Sequence, residues 1–414
     1  MNADLPDGWE RTTLKEIGKW STGGTPSRSN PKFFGRGVSW VKSGDLKDGP
    51  IQRTDEEITK FGLDNSSAKL MPAGTISMAL YGATIGKLGL MTFPAATNQA
   101  CANVIPNPEK VETKYLFFYL LSERRNFIGQ GQGGAQPNIS QGIVREHPMP
   151  LAPLAEQRRI VAKLEKLLEK VEACQKRLDK IPTLLKRFRQ SVLSAACSGR
   201  LTEDWRLEKK SKIEISWEQT TLGDVGTLYC GQSPSRQFVN RVGNGTPYVT
   251  GPEQWSGFEI EMNKWTTNPK RHVPPDCVFI TVKGAGVGTV FPGVSCAIGR
   301  DIYAYKPSLT CHSAYIFFVL QSTVDKIKAM AQGDIPGLTR EQIMGHPISV
   351  PTLDEQKEIV SRVANLFSLA DKIELRYSTG ITHIDKLTQS ILAKAFRGEL
   401  VPREPTQKGV KRKR

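Results

Sequence analysis

The sequence predicts a duplicated mixed α/β fold: two similar globules, each followed by long helices. Three observations carry this. WERTTLKEIG, beginning at Trp9, recurs as WEQTTLGDVG at Trp217, and further segments recur in the same order. The first part of each copy is rich in Gly, Pro and short β-branched runs, the composition of short strands broken by tight turns. The second part places apolar residues at alternating steps of four and three, the period of a helical seam.

The repeat sets the boundaries. GGTPSR at Gly23 returns as GQSPSR at Gly231, an offset of 208 that Trp9 and Trp217 share. GATIG at Gly82 returns as GAGVG at Gly284, an offset of 202. HPMPLAPLAEQRRIV at His147 matches HPISVPTLDEQKEIV at His346, and QSVLSAACSGRL at Gln190 matches QSILAKAFRGEL at Gln389, both at 199. A unit of about 200 residues is too long for a solenoid repeat. The expected order is a globule over 1–150, a helical region over 151–201, a polar linker over 202–216, a second globule over 217–350, a second helical region over 351–402 and a basic tail over 403–414.

Taken in order, GTISMALYGATIG in the first globule and CVFITVKGAGVG in the second read as strands closed by Gly-rich turns, with one helix near 115–122 and its counterpart near 315–322. In the first helical region Ile160, Leu164, Leu167, Val171, Cys174, Leu178 and Ile181 form a heptad seam; Ile359, Val363, Leu366, Ala370, Ile373 and Tyr377 repeat it. Residues 154–181 would make about 42 Å of helix. Such a stripe packs either on its own globule or on the matching helix of the other copy. Two matched helices in one chain favour the second arrangement, with Leu164 and Leu167 opposite Val363 and Leu366. Pro182 suits the first turn of a following helix, and Gly199 its end.

Composition narrows the function. The chain has 414 residues, 38% apolar and 24% charged, an ordinary globular mixture. Its longest apolar run, 115–121, is far short of the roughly 20 residues of a membrane span, and MNADLPDGWE is too polar for a secretory signal. Seven scattered cysteines without a C-x-x-C pair point to reduced thiols in a cytoplasmic protein and to no metal site. With 57 Lys+Arg against 41 Asp+Glu the chain carries +16, which makes nucleic acid the leading partner. Residues 156–190 hold +6 of this, 355–397 hold +2 and 403–414 hold +5, leaving +3 for the rest. The globules are therefore nearly neutral, and any reading of bases must come from a few placed side chains.

Catalytic signatures are missing. FFGRG at Phe33 matches the loop with which DNA methyltransferases hold S-adenosylmethionine, but it follows Asn-Pro-Lys, lacks a counterpart in the second copy and is unaccompanied by [DN]-P-P-[YF]. GATIGK is one residue short of a phosphate loop, and GQGQGG at Gly129 lacks a flanking strand. His147 and His346 are matched, but each precedes Pro with no nucleophile or ligand at useful spacing, so both read as structural.

The paired PLAEQ and TLDEQ segments, the SGRLTEDWR and RGELVPRE segments that follow the helices, and the GGTPSR globules resemble the specificity subunit of type I restriction-modification systems. The resemblance spans almost the whole chain. It implies two tandem α/β target recognition domains, each reading one half of a split, asymmetric double-stranded DNA site. Between them it implies two helical regions packed as an antiparallel coiled coil with pseudo-twofold symmetry. It also implies two methyltransferase subunits and ATP-dependent translocase/nuclease subunits as partners. These would hold the S-adenosylmethionine, ATP and magnesium, so the chain itself would be non-catalytic and bind no cofactor. A duplicated scaffold that recruits enzymes through its helices without reading DNA is the alternative.

Base reading uses Arg or Lys for guanine and Asn or Gln for adenine. On the Gly-rich loops of the first globule the candidates are Arg28, Lys42, Lys87, Asn98, Gln99, Gln136 and Asn138. In the second they are Arg236, Lys283, Arg300 and Arg340. Each either contacts DNA or caps a turn. The second copy departs from the pattern at IGRDIYAY, where Asn98 aligns with Arg300 and Gln99 with Asp301.

Overall fold

The computed structural model describes residues 5–402 except 132–136, 210–216, 258, 285, 324, 325, 327, 328 and 330–336. The chain divides into two compact units, Met1–Leu178 with Thr379–Arg414, and Asp179–Ser378. The mixed α/β reading and the duplication hold, and each unit packs its globule with the helix that follows it and with part of the other helical region.

In the first unit a five-stranded sheet runs in the order Gly18–Thr22, Cys101–Pro106, Ile76–Ala79, Leu88–Met91, Gly49–Ile51. A second sheet orders Glu57–Ile58, Phe34–Val41 and Ala96–Thr97. Glu10–Thr13 pairs antiparallel with Pro148–Leu151 and ties the start of the globule to its end. The helix Thr113–Ser122 begins where the Glu112 carboxylate accepts the Tyr115 N–H at 2.8 Å. Its buried Tyr115, Leu116 and Leu120 join Ile160 and Leu164 of the helix Leu154–Leu178, and Ile391, Leu392, Ala395 and Phe396 of the helix Leu353–Phe396, in one core. The Phe396 ring lies edge-on to Tyr115 and Tyr119, with centroids 5.2 and 5.1 Å away.

The second unit repeats this plan. Gly226–Cys230, Ile302–Pro307, Val278–Thr281 and Val290–Pro292 form one sheet. Val239–Asn240, Trp265–Thr266, Thr246–Val249, Cys296–Ile298 and His272–Val273 form the other. The helix Ser313–Ser322 packs with Val192, Leu193 and Ala196 of the helix Ile181–Cys197, and with Ile359 and Val363 of the long helix. Arg189 reinforces this with Asp371 at 2.7 Å and Glu374 at 2.8 Å.

The two helical regions do meet, but not in the expected pairing: Leu167, Val171 and Cys174 line one cleft with Ile384, Leu387 and Ile391. Ile160 and Leu164 are spent on the first core, with Leu167 and Val171 against it; Ile359 and Val363 are spent on the second, with Leu366 against it. The cause is the broad apolar face of each globule's own helix, which these side chains cover. Leu178 is half-buried beside Gly380, whereas Ile373 is 38% exposed. The first helix stops at Leu178 and the next starts at Ile181 with Pro182 in its first turn, while the second copy runs unbroken through Gly380.

The two Gln residues of PLAEQ and TLDEQ are buried backbone clamps. Gln157 accepts the Glu112 N–H at 2.8 Å and donates to the carbonyls of Lys110 and Ala152. Gln356 accepts the His312 N–H at 2.7 Å and donates to those of Thr310 and Pro351. Each joins its helix to the turn before the globule's helix and leaves no amide atom unpaired.

Three expectations need correction. The stretch 202–216 does not begin as a linker, since Thr202 is buried and Glu203–Lys209 is helical; 210–216 and the tail 403–414 lie outside the described residues. FFGRG lies at and within the strand Phe34–Val41, and it has a counterpart. Phe34 and Val38 both pair with Ile58, just as Val239 and Thr246 both pair with Thr266. Asn98 aligns with Gly299, because the Asn98 and Gly299 N–H groups donate to the equivalent carbonyls of Val41 and Val249. The stretch before it, 92–95, is one residue longer than its counterpart, 293–295, so Gln99 corresponds to Arg300. No described helix is long and apolar enough to cross a membrane.

Candidate nucleic-acid interface

In the first unit four of the candidates gather at one place. Backbone bonds from Gly23 to Cys101, Gly24 to Thr97 and Asn98 to Val41 bring the GGTPSR turn, the end of the strand Phe34–Val41 and the turn at 98–100 together. A Cβ at Gly23 would lie 2.1 Å from the Asn98 carbonyl, so only glycine permits this approach. The Trp40 indole N–H donates to Gly24 O at 3.1 Å and anchors the turn from below.

Charge in this cluster is organised around Glu56, which sequence reasoning missed. Its carboxylate takes Lys42 at 2.8 Å and Arg28 at 2.7 Å. The hydrogen bond to Lys42, then that to Arg28, holds the Glu56 carboxyl below its usual range, and the same bond raises the Lys42 amine. The Arg28 guanidinium lies over Phe34 at 4.4 Å and Trp40 at 5.5 Å, so it is oriented on three sides. Thr25 donates to the Gln99 side-chain carbonyl. The Asn98 Oδ1 accepts from the Cys101 thiol at 3.3 Å, and burial pushes that thiol up to about 12, so it stays a donor.

The remaining candidates of this unit stand apart. Lys87 meets Asp48 at 3.3 Å, and Asp48 also receives Arg124 and the Leu88 N–H, a structural knot under the Gly86 turn. Asn138 is exposed and pairs with Tyr81 across an isolated bridge. Gln136 lies outside the described residues. His147 is structural, held by Glu123 at 3.2 Å against the ring of Phe127.

The second unit builds the same frame with other side chains. Gly231 and Gln232 donate to Ile302 and Ile298, and the Arg300 N–H donates to Ser233 Oγ at 3.2 Å. Arg300 is 75% exposed, with Asp301 at 3.9 Å. Arg236 is exposed in the turn that follows. The equivalent of Glu56 is Lys264: the Trp40 N–H donates to Glu56 O, and the Tyr248 N–H to Lys264 O. Lys264 reaches Thr250 at 2.6 Å and Glu253 at 3.3 Å, so the ion pair is reversed between the copies. Burial pushes Glu253 up, but its own backbone N–H and Lys264 bring it below the usual range. Lys283 pairs through its backbone with Gly337, matching Tyr81 and Asn138. Arg340 is less free than its position suggests, since its guanidinium donates to Leu228 O at 3.1 Å. Glu56, Lys264, Thr250 and Glu253 carry no motif, and only strand pairing reveals them; Thr25 stands within GGTPSR.

Comparison with known proteins finds the same duplication. The profile of the type I restriction modification DNA specificity domain matches residues 6–183 and again 214–382. The chain is 26% identical over 431 residues to the type I restriction enzyme EcoDI specificity subunit of Escherichia coli, covering 96% of this chain and 89% of that protein. It is 27% identical over 427 residues to the StySPI specificity subunit of Salmonella potsdam, with 96% and 90% covered. A chain from a structure of type I R-M system assembly superposes with a TM-score of 0.78 at 23% identity, with 96% and 100% covered. The HsdS subunit from Thermoanaerobacter tengcongensis superposes at 0.62 and 22%, with 96% and 99% covered. At these identities the superpositions speak for the fold.

Proposed function

The chain belongs to the type I restriction modification DNA specificity family, and on that premise we propose that each of its globules reads one half of a split DNA site. What supports this reading is one frame furnished twice. The same glycine turn, strand end and following turn carry Arg28, Lys42, Asn98 and Gln99 in one unit, with Glu56 binding the first two, and Arg236, Thr250 and Arg300 in the other, with Lys264 reaching Thr250. Equivalent frames give equivalent placement on duplex DNA, and different side chains give different preferred bases. The two half-sites therefore differ.

In this reading the chain supplies no chemistry of its own. Methylation, ATP hydrolysis and cleavage belong to two methyltransferase subunits and to translocase/nuclease subunits that dock on it, and the helices set the distance between the half-sites. Expression with its methyltransferase partner, followed by sequencing of methylated positions, tests the proposal. A split, asymmetric motif with a fixed gap is the expected result. Methylation without any motif would return the chain to the role of a scaffold, and methyl transfer by the chain alone would make it an enzyme.

A further inference from the structure

The excursion at FFGRG and its counterpart form the same device at two lengths. Residues 35–37 leave the sheet between Phe34 and Val38, and residues 241–245 leave it at the equivalent place between Asn240 and Thr246. Each carries an arginine two residues after the first paired position, Arg36 and Arg241. Both are exposed, and neither has a side-chain partner among the described residues. The loops beneath them are braced. The Gly37 N–H donates to the Glu57 carboxylate at 2.8 Å. Asn240 donates to Asn244 O at 2.8 Å and accepts the N–H groups of Val242 and Asn244, while Gly243 and Gly245 take left-handed φ of 84° and 98°. That bracing holds Val242 86% exposed beside Arg241. A braced tip that offers a cation to solvent, twice in one chain and without a side-chain partner among the described residues, is suited to something outside the chain.

Each loop springs from the edge of its unit's candidate cluster. The Phe34 ring carries the guanidinium of Arg28, and Asn240 pairs with Trp265, the neighbour of Lys264. We propose that Arg36 and Arg241 are backbone anchors, each contacting a phosphate of the duplex beside the half-site that its own unit reads. The proposal rests on the DNA-reading function above. Arg28 is oriented beforehand by Glu56, Phe34 and Trp40, which suits a guanidinium that reads a base. One that meets a phosphate needs reach and charge, which Arg36 and Arg241 have without a brace.

The test uses the full chain with Arg36→Gln, Arg241→Gln and the two lysine replacements, and two duplexes: one of mixed sequence, one bearing the methylated motif. Each glutamine variant is expected to bind the mixed-sequence duplex more weakly, with a log–log salt slope shallower by about 0.9. The wild-type advantage per arginine then shrinks about three- to fourfold between roughly 50 and 200 mM salt. The lysine variants keep the slope, and the methylated motif is unchanged. Unaltered affinity and slope in both glutamine variants would overturn the proposal. So would a loss confined to the motif-bearing duplex with one base relaxed, which would assign base reading instead. A wild-type chain that does not favour the motif-bearing duplex would strike the DNA-reading function, while the salt slopes would still decide the anchors.

Discussion

Arg206→Ala is expected to destabilise the second unit by about 3–5 kcal/mol, the cost of leaving a buried charge without its partner. Glu355 is fully buried, and one of its oxygens accepts from Thr202 at 2.7 Å, from the Trp217 indole at 3.2 Å and from Arg206. Arg206 also donates to Gly199 O and lies over the Trp217 ring. The SGRLTEDWR segment thus folds back on the start of the long helix, and one guanidinium both neutralises a carboxylate and closes a helix end. Hydrogen exchange on the full chain checks this: amides of Glu218–Thr221 and Pro347–Val350 should lose protection while those of the first unit keep it. Adding Glu355→Gln should recover more than about 1 kcal/mol, because the two groups are in direct contact. A cost within about 0.5 kcal/mol of zero, or no coupling, would contradict the assignment.

Leu164→Asp should cost the first unit more than about 4 kcal/mol. Leu164 is fully buried in the core that also holds Tyr115, Leu392 and Phe396. A carboxylate there would be buried in an apolar cluster. Hydrogen exchange should show protection lost both around Thr113–Ser122 and near the end of the helix Leu353–Phe396. Val363→Asp should do the same to the second unit, through Val192 and Tyr315. If Leu164→Asp instead released Ile359 and Val363 and spared Phe396, the division of the helices between the cores would be wrong.

What was legible in the sequence was the repeat and its periodicities. Strands and helices followed from β-branched runs between Gly-rich turns and from heptads, and the Gln of PLAEQ stood out even though its clamp did not. The partner of each heptad residue was not legible, because Leu164 offers the same apolar face to a globule or to another helix. The site was half legible. Arg28, Lys42, Asn98 and Gln99 sit on conspicuous Gly-rich turns and do converge, but Glu56 and Lys264 organise charge from strand ends that look unremarkable in sequence. The one-residue difference before Asn98 also escaped, since the flanking segments tolerate either register until hydrogen bonds fix it. Lys87 and Arg340 resemble the other candidates in type and spacing, and only their ties to Asp48 and to Leu228 O set them apart.

The claim that each unit reads its own half-site is tested most directly by exchanging residues 217–350 for the equivalent globule of another specificity subunit and sequencing the sites methylated with the partner. Separate cores and separate contacts make the recognition energies of the two halves nearly additive. One half-site should change and the other persist. A change in both halves, or in neither, would contradict the account.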